Sequence, residues 1–300
     1  MRLAVTGREG QVAASLLERD SRDVEIVAIG RPALDLARPE AVFSALEAAR
    51  PDIVVSAAAY TAVDQAEDEK ELAFAVNATG AGKVAEAAAK LGVPVIHLST
   101  DYVFDGTKDG AYVETDAVAP LGVYGASKLA GEQAVAAANP HHLILRTAWV
   151  YSPFGKNFVK TMLRLASDRD TISVVADQWG NPTSALDIAD AILHTAARFR
   201  DDKNFAAFGI YHLAGTGGTN WSGFARHILD TSRAFGGPHA SVRDIATVDY
   251  PTKARRPQNS RLSSAKFADV FGWAAPQWRE STEAVVRRLG GCETKRALSA

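Results

Sequence analysis

The sequence predicts an α/β fold: a doubly wound parallel sheet with a smaller C-terminal region interleaved with it. Short runs rich in β-branched residues alternate with alanine-rich helical stretches up to about position 146, and strand, helix, strand at that period builds a parallel sheet covered on both faces. The first strand runs into a glycine-bearing turn that opens a helix, as nucleotide-binding sheets begin. After Trp149 the composition shifts to more Trp, Phe, Pro and Gly, and loop signals such as "SPFGKNF", "DQWGNPT" and "GTGGTNWSG" interrupt the helices, which marks the second region. Three hundred residues with 47% hydrophobic and 23% charged content suffice for one large domain with an appendage.

Taken in order, residues 3–5 read as a strand and 11–18 as a helix, 25–29 and 39–49 repeat the pair, and 53–56 leads into a long helical stretch over 69–91. Residues 95–99 form the next strand, 124–138 a helix and 143–146 another strand. Residues 172–175 and 210–213 are still strand-like, so segments near 157–176 and 185–214 are expected to return to the central sheet. The domain boundary is placed between 148 and 149.

A formal charge of -2 and a pI near 6.4, with no run of five like charges, speak against a nucleic-acid partner. No apolar run approaches the roughly 18 residues that span a bilayer, so no membrane partner is expected. The opening "MRLAVTG" enters an apolar strand directly, unlike a secretory signal. The single cysteine, Cys292, lies in a polar end, "CETKRALSA", read as frayed, and a cytoplasmic location is expected. The seven histidines show no metal-ligand spacing, and no structural metal is expected.

The first turn, "VTGREGQVA", presents Gly7 and Gly10, with Gln11 and Val12 opening the helix. Glycines let the backbone approach a pyrophosphate, and the helix N-terminus offers unpaired N–H groups. The spacing Gly-x-x-Gly-x-x-Ala departs from the Gly-x-Gly-x-x-Gly fingerprint, so an ordinary tight turn stands beside the dinucleotide reading until its place as the first turn of the sheet is considered. At the second strand end stands Arg31, where an NAD-selective site places an acid. Arginine favours a 2'-phosphate, hence NADPH, while Asp35, followed by Leu36, leaves NADH open as a second donor. The third strand ends in Ala57, Ala58 and Ala59, then Tyr60, small residues against which a flat cofactor or a close helix can lie.

The fourth strand, "VIHLSTDYVFDG", delivers Thr100 and Asp101 at its carboxyl end, and "VYGASKLAGE" puts Tyr124 and Lys128 one helical turn apart. Thr100 can hydrogen-bond a carbonyl oxygen, Tyr124 can protonate it, and Lys128 is expected to lower the phenol's pKa. Together they suit hydride transfer to a carbonyl.

The blocks "TGxxGxxA", "STDYVFDG", "YGASKLAGE", "RTAWVYSPFGKNFV", "DQWGNPT" and "RRPQNSRL" stand in one order over nearly the whole chain. In this the sequence resembles the dTDP-4-dehydrorhamnose reductase family, extended short-chain dehydrogenase/reductases. The resemblance implies a Rossmann-type NAD(P)-binding domain over 1–148 and a mainly nucleotide-sugar-binding region over 149–300. It also implies NAD(P)H-dependent reduction of the 4-keto group of dTDP-4-dehydro-6-deoxy-L-mannose to dTDP-L-rhamnose, the last step of rhamnose donor synthesis. Carried over, it makes Thr100, Tyr124 and Lys128 the catalytic set, with Tyr124 and Lys128 also facing the cofactor. Thr100, Asp101, Val103, Phe104, Trp149, Asn157, Phe158, Gln178 and Arg256 are implied to face a dTDP-sugar. Trp149 as inter-domain core and Arg255–Arg256 as a solvated pair remain alternatives, and Asp64 and Glu67 read mainly as helix N-terminal charges. Some relatives dimerise through magnesium held by glutamates with no clear match here, so Mg2+ and a homodimer stay open. So do another nucleotide-sugar reductase or epimerase, and a non-catalytic homologue like the regulatory beta subunit of methionine adenosyltransferase.

Overall fold

The computed structural model describes residues 1–202 and 204–297, with side chains through 290. In chain order the first half is β1 (Arg2–Thr6), α1 (Gln11–Leu17), β2 (Glu25–Ile29), α2 (Val42–Ala49), β3 (Ile53–Ser56), α3 (Val63–Ala66), α4 (Lys70–Phe74), α5 (Ala81–Lys90), β4 (Val95–Thr100), α6 (Val123–Ala138) and β5 (His142–Thr147). The second half is β6 (Val150–Tyr151), α7 (Phe158–Ala166), β7 (Thr171–Val175), β8 (Trp179–Gly180), β9 (Thr183–Ser184), α8 (Ala185–Asp201), β10 (Gly209–His212), β11 (Thr219–Asn220), α9 (Trp221–Ala234), β12 (Ser241–Ile245), α10 (Ala265–Phe271) and α11 (Trp278–Ala297). The side chain of Cys292 lies outside the described residues.

Six parallel strands make the central sheet in the order β10-β5-β4-β3-β1-β2. The pleat sends alternate side chains to opposite faces. Leu3, Val5, Ile53 and Val55 pack against Val12 and Leu16 of α1 and Ile188 and Ile192 of α8, whereas Ala4, Val54 and Ile144 meet Leu46 of α2, Val84 of α5 and Val135 of α6. Both faces are therefore apolar and covered, the condition of a parallel sheet. The order reverses at β1, whose neighbours β2 and β3 lie on opposite sides, and a crevice opens outside the carboxyl ends there.

The segment 157–176 departs from expectation. β7 pairs with β12 in a separate two-stranded parallel sheet, and α7 and β7 pack with α9 and α11 around Phe224 and Trp278. The pattern Thr-Ile-Ser-Val-Val buries Ile172 and Val174 and exposes Thr171 and Ser173, so it can cover one face only, while the four residues of β3 are all buried. Residues 185–214 behave otherwise: α8 lies on the sheet beside α1, and β10 pairs with β5. The long helical stretch over 69–91 is interrupted by a π-helical turn, Ala75–Gly80.

Candidate active site

The glycine turn expected to face a cofactor follows β1. Gly7 has φ +90, a conformation that favours glycine, and a Cβ there would stand 3.4 Å from Ala58. Thr6 Oγ1 accepts the N–H groups of Ala57 and Ala58, both at 3.0 Å, which clamps the ends of β1 and β3 together. Gly10 is the N-cap of α1, and a Cβ there would meet nothing within 4 Å, so the backbone is open to a ligand. The Gln11 side chain is committed instead to the second region: its Oε1 accepts from Ser152 Oγ (2.8 Å) and Asn157 Nδ2 (2.9 Å). Arg31 is exposed, and so is Arg8, a residue the sequence reading passed over, whose Cγ lies 3.1 Å from the Cβ position of Gly30 at the end of β2. Neither arginine enters an ion pair among the described residues. Asp35 accepts from the Ala37 N–H (3.0 Å) and pairs with Arg38 (3.3 Å), shaping the turn that buries Leu36. A turn of free backbone donors with two uncommitted cations fits a phosphorylated dinucleotide.

Asn77, on the π-helical turn, exchanges hydrogen bonds with the backbone of Tyr60 (2.8 and 3.0 Å) and donates to Ser127 Oγ (3.0 Å). It ties the end of β3 to α6 beside Lys128. An asparagine in the alanine-rich "AFAVNATGAG" is the sequence signal for it.

Thr100 and Asp101 stand at the carboxyl end of β4, with Tyr124 and Lys128 on the first turns of α6. Gly125 lets α6 approach, since a Cβ there would lie 2.2 Å from the Tyr102 carbonyl oxygen. Glu67 accepts the Val123 N–H at 2.8 Å, so this carboxylate caps α6 rather than its own short helix. Thr100 stands beside the Tyr124 phenol and favours its ionised form, while Thr100 Oγ1 donates to Asp101 Oδ1 at 3.0 Å. The half-buried phenol of Tyr124 is pushed up to about 12 by burial, offset in part by Thr100. This corrects the expectation that Lys128 lowers it: the ammonium is buried, turned towards the Leu98 carbonyl oxygen (2.7 Å), and itself brought down to about 8 by burial. Tyr124 is thus fully protonated at neutral pH, the state a proton donor needs.

Burial raises the Asp101 carboxyl from 3.8 to about 6, against hydrogen bonds from Ser260 and Thr100, and its Oδ2 has no partner. The native state keeps its proton up to about pH 6 and the unfolded chain loses it near 3.8. Stability therefore falls as pH rises through that window, by about 3 kcal/mol for a shift of this size. In Asp101→Asn the decline in melting temperature between about pH 4 and 6 should flatten. An unchanged slope would remove Asp101 as its source.

In the second region, Trp149 holds φ +47 and stacks on Trp221 at 3.6 Å with an interplanar angle of 6°. A Cβ on Gly180 would lie 2.4 Å from the Trp149 ring, so the indole is wedged in place. Phe158 packs on Trp221 and Phe224, and Asn157 caps α7 through Lys160 N–H (3.1 Å). Gln178 is buried and donates to Thr247 Oγ1 (3.0 Å). Val103 and Phe104 are wholly buried, Phe104 stacking on Tyr112 at 4.1 Å beneath the cleft. Arg256 does not form a solvated pair with Arg255: its guanidinium binds both oxygens of Asp64 (3.1 and 2.7 Å), while Arg255 lines the cleft with Tyr124, Tyr102 and Glu67. Asp64, read as a helix N-terminal charge, is thereby a tertiary ion-pair partner. Thr100, Asp101, Tyr124 and Lys128 are brought together; Asn157, Phe158 and Gln178 serve contacts with Gln11, Trp221 and Thr247 instead, and Val103 is core. Among the described residues no group of three or more His, Cys, Asp or Glu could hold a metal ion, and no helix is long and apolar enough to cross a membrane.

Residues 1–290 match the family model described as the RmlD substrate binding domain. The chain is 54% identical over 289 residues to a dTDP-4-dehydrorhamnose reductase of Sinorhizobium fredii, covering 96% of this chain and 98% of the relative. It is 45% identical over 295 residues to one of Burkholderia thailandensis, covering 96% and 99%. Among solved structures it is similar to a dTDP-4-dehydrorhamnose reductase of Bacillus anthracis in complex with NADP, with a TM-score of 0.88, 35% identity, and 96% and 99% of the two chains covered.

Proposed function

The chain belongs to the dTDP-4-dehydrorhamnose reductase family, and we propose that it reduces the 4-keto group of dTDP-4-dehydro-6-deoxy-L-mannose to dTDP-L-rhamnose with NADPH. The observation that carries this is Tyr124 beside Thr100, with buried Lys128 one turn along α6, outside the carboxyl ends of the sheet that also carries the Gly7–Gly10 turn. NADPH supplies the hydride. The N–H groups opening α1 would hold the pyrophosphate, Arg8 and Arg31 the 2'-phosphate, and Lys128 the nicotinamide ribose. Thr100 hydrogen-bonds the carbonyl oxygen and Tyr124 donates its phenolic proton there, Thr100 being the neighbour that favours the phenolate left behind. The wedged Trp149 offers a wall for the sugar, and Arg255, exposed on the cleft, a cation for its diphosphate.

The test is loss of NADPH absorbance with the keto-sugar generated in situ from dTDP-glucose, the product identified by mass and NMR. Formation of dTDP-L-rhamnose supports the reading. NADPH binding without turnover would overturn it in favour of another nucleotide-keto-sugar or a non-catalytic role. Arg8→Ala combined with Arg31→Ala should weaken NADPH about tenfold and NADH little, as removal of 2'-phosphate contacts does; equal losses for the two would show that these arginines do not read the phosphate.

A further inference from the structure

Beneath the cleft, on the side of Lys128 away from solvent, lies a buried polar chain that the proposed reaction does not itself require. His97, on β4, is 1% exposed. Its Nδ1 is 3.0 Å from Ser56 Oγ at the end of β3, and its Nε2 is 3.4 Å from Lys128 Nζ. An ammonium carries three donors and no acceptor, whereas a neutral imidazole carries one of each. The nitrogen that faces Lys128 must therefore be the bare one, and the proton sits on Nδ1, directed at Ser56. Leu98, the next residue of the same strand, takes a second ammonium proton on its carbonyl oxygen at 2.7 Å. Two of the three protons are thus drawn down towards the sheet, and one is left for the cleft.

We propose that His97 is a positioning residue for Lys128: a buried, neutral imidazole fixed by Ser56 in the Nδ1–H tautomer, accepting one ammonium proton and aiming another at the cofactor ribose. The inference rests on the reductase reading for what Lys128 does, though the tautomer and the contact do not. Burial, then the charge of Lys128, holds His97 well below its ordinary pKa, so the acceptor lone pair persists at neutral pH. The other groups around the ammonium are Tyr124 one turn earlier and Glu132 one turn later on α6, Arg146 of β5 paired with Glu132, and Asp101 beyond Thr100. Glu132 favours the charged ammonium, but its carboxylate is taken up by Arg146 and Ser99. His97 is the side chain that accepts directly from Nζ.

The full-length protein labelled with nitrogen-15 histidine tests this. His97 should show a protonated Nδ1 and a bare Nε2, without titrating between about pH 5 and 9. His97→Leu should bind NADPH about tenfold more weakly and move the alkaline limb of kcat/KM down by about one pH unit, since the ammonium loses an acceptor. His97→Gln, whose amide oxygen can reach the same place, should restore both. A folded His97→Leu with unchanged NADPH affinity and alkaline limb overturns the proposal. A proton on Nε2 in the wild-type protein overturns it even if His97→Leu does not fold. Neither the tautomer nor NADPH affinity involves the sugar, so a wrong substrate assignment would leave these results standing.

Discussion

Tyr124→Phe is expected to lower turnover by about three orders of magnitude or more, as loss of a general acid does, while NADPH affinity stays within about twofold. The phenylalanine keeps the ring, which meets Tyr102 edge-on at a centroid distance of 5.8 Å, and removes only the hydroxyl beside Thr100. Single-turnover rates with saturating NADPH separate chemistry from binding. Near-normal rates would take Tyr124 out of the mechanism and leave Thr100 and Asp101 as the proton source.

Arg146→Met should destabilise the protein by about 3–5 kcal/mol, because removing one member of a buried ion pair leaves the other uncompensated. Arg146 and Glu132 are 3% and 2% exposed, joined at 2.9 and 2.7 Å, with Ser99 Oγ donating to the same carboxylate at 2.5 Å. The pair locks α6 to β4 and β5 directly behind Lys128, and the guanidinium lies 5.2 Å above the Phe104 ring. Glu132→Leu combined with Arg146→Met should recover much of the loss, since an apolar pair carries no desolvation cost. Urea melts of the single and double variants read both effects. A single variant as stable as the wild type would mean that water reaches the carboxylate.

The central sheet was legible because its signals are local. The apolar runs of β1, β3, β4 and β5, and the alanine-rich helices between them, state their period within a dozen residues. The Gly7 turn needs a backbone conformation that glycine supplies, and Tyr124 and Lys128 share a helix face by spacing alone. Residues 171–175 were less legible: a strand can be read from propensity, but its partner lies 70 positions away in 241–245, and no local pattern names it.

The residues implied by resemblance to face a sugar show the same limit. Trp149, Asn157, Phe158 and Gln178 were identified by block and order, yet their contacts are with Trp221, Gln11, Phe224 and Thr247. Asp64 and Glu67 carry no sequence mark that distinguishes a helix-end charge from an ion pair with Arg256 or a cap on α6. The doubly wound sheet, the glycine turn after β1, the helical spacing of Tyr124 and Lys128 and the place of Thr100 at a strand end were readable from the chain, since each depends on residue type and short-range spacing. The tertiary structure alone decided the charge states: how deeply Lys128, Asp101 and Tyr124 are buried, and that His97, Glu132 and Arg146 stand behind them. Desolvation and pairing depend on which distant segments close over a group, and that is a property of packing rather than of spacing along the chain.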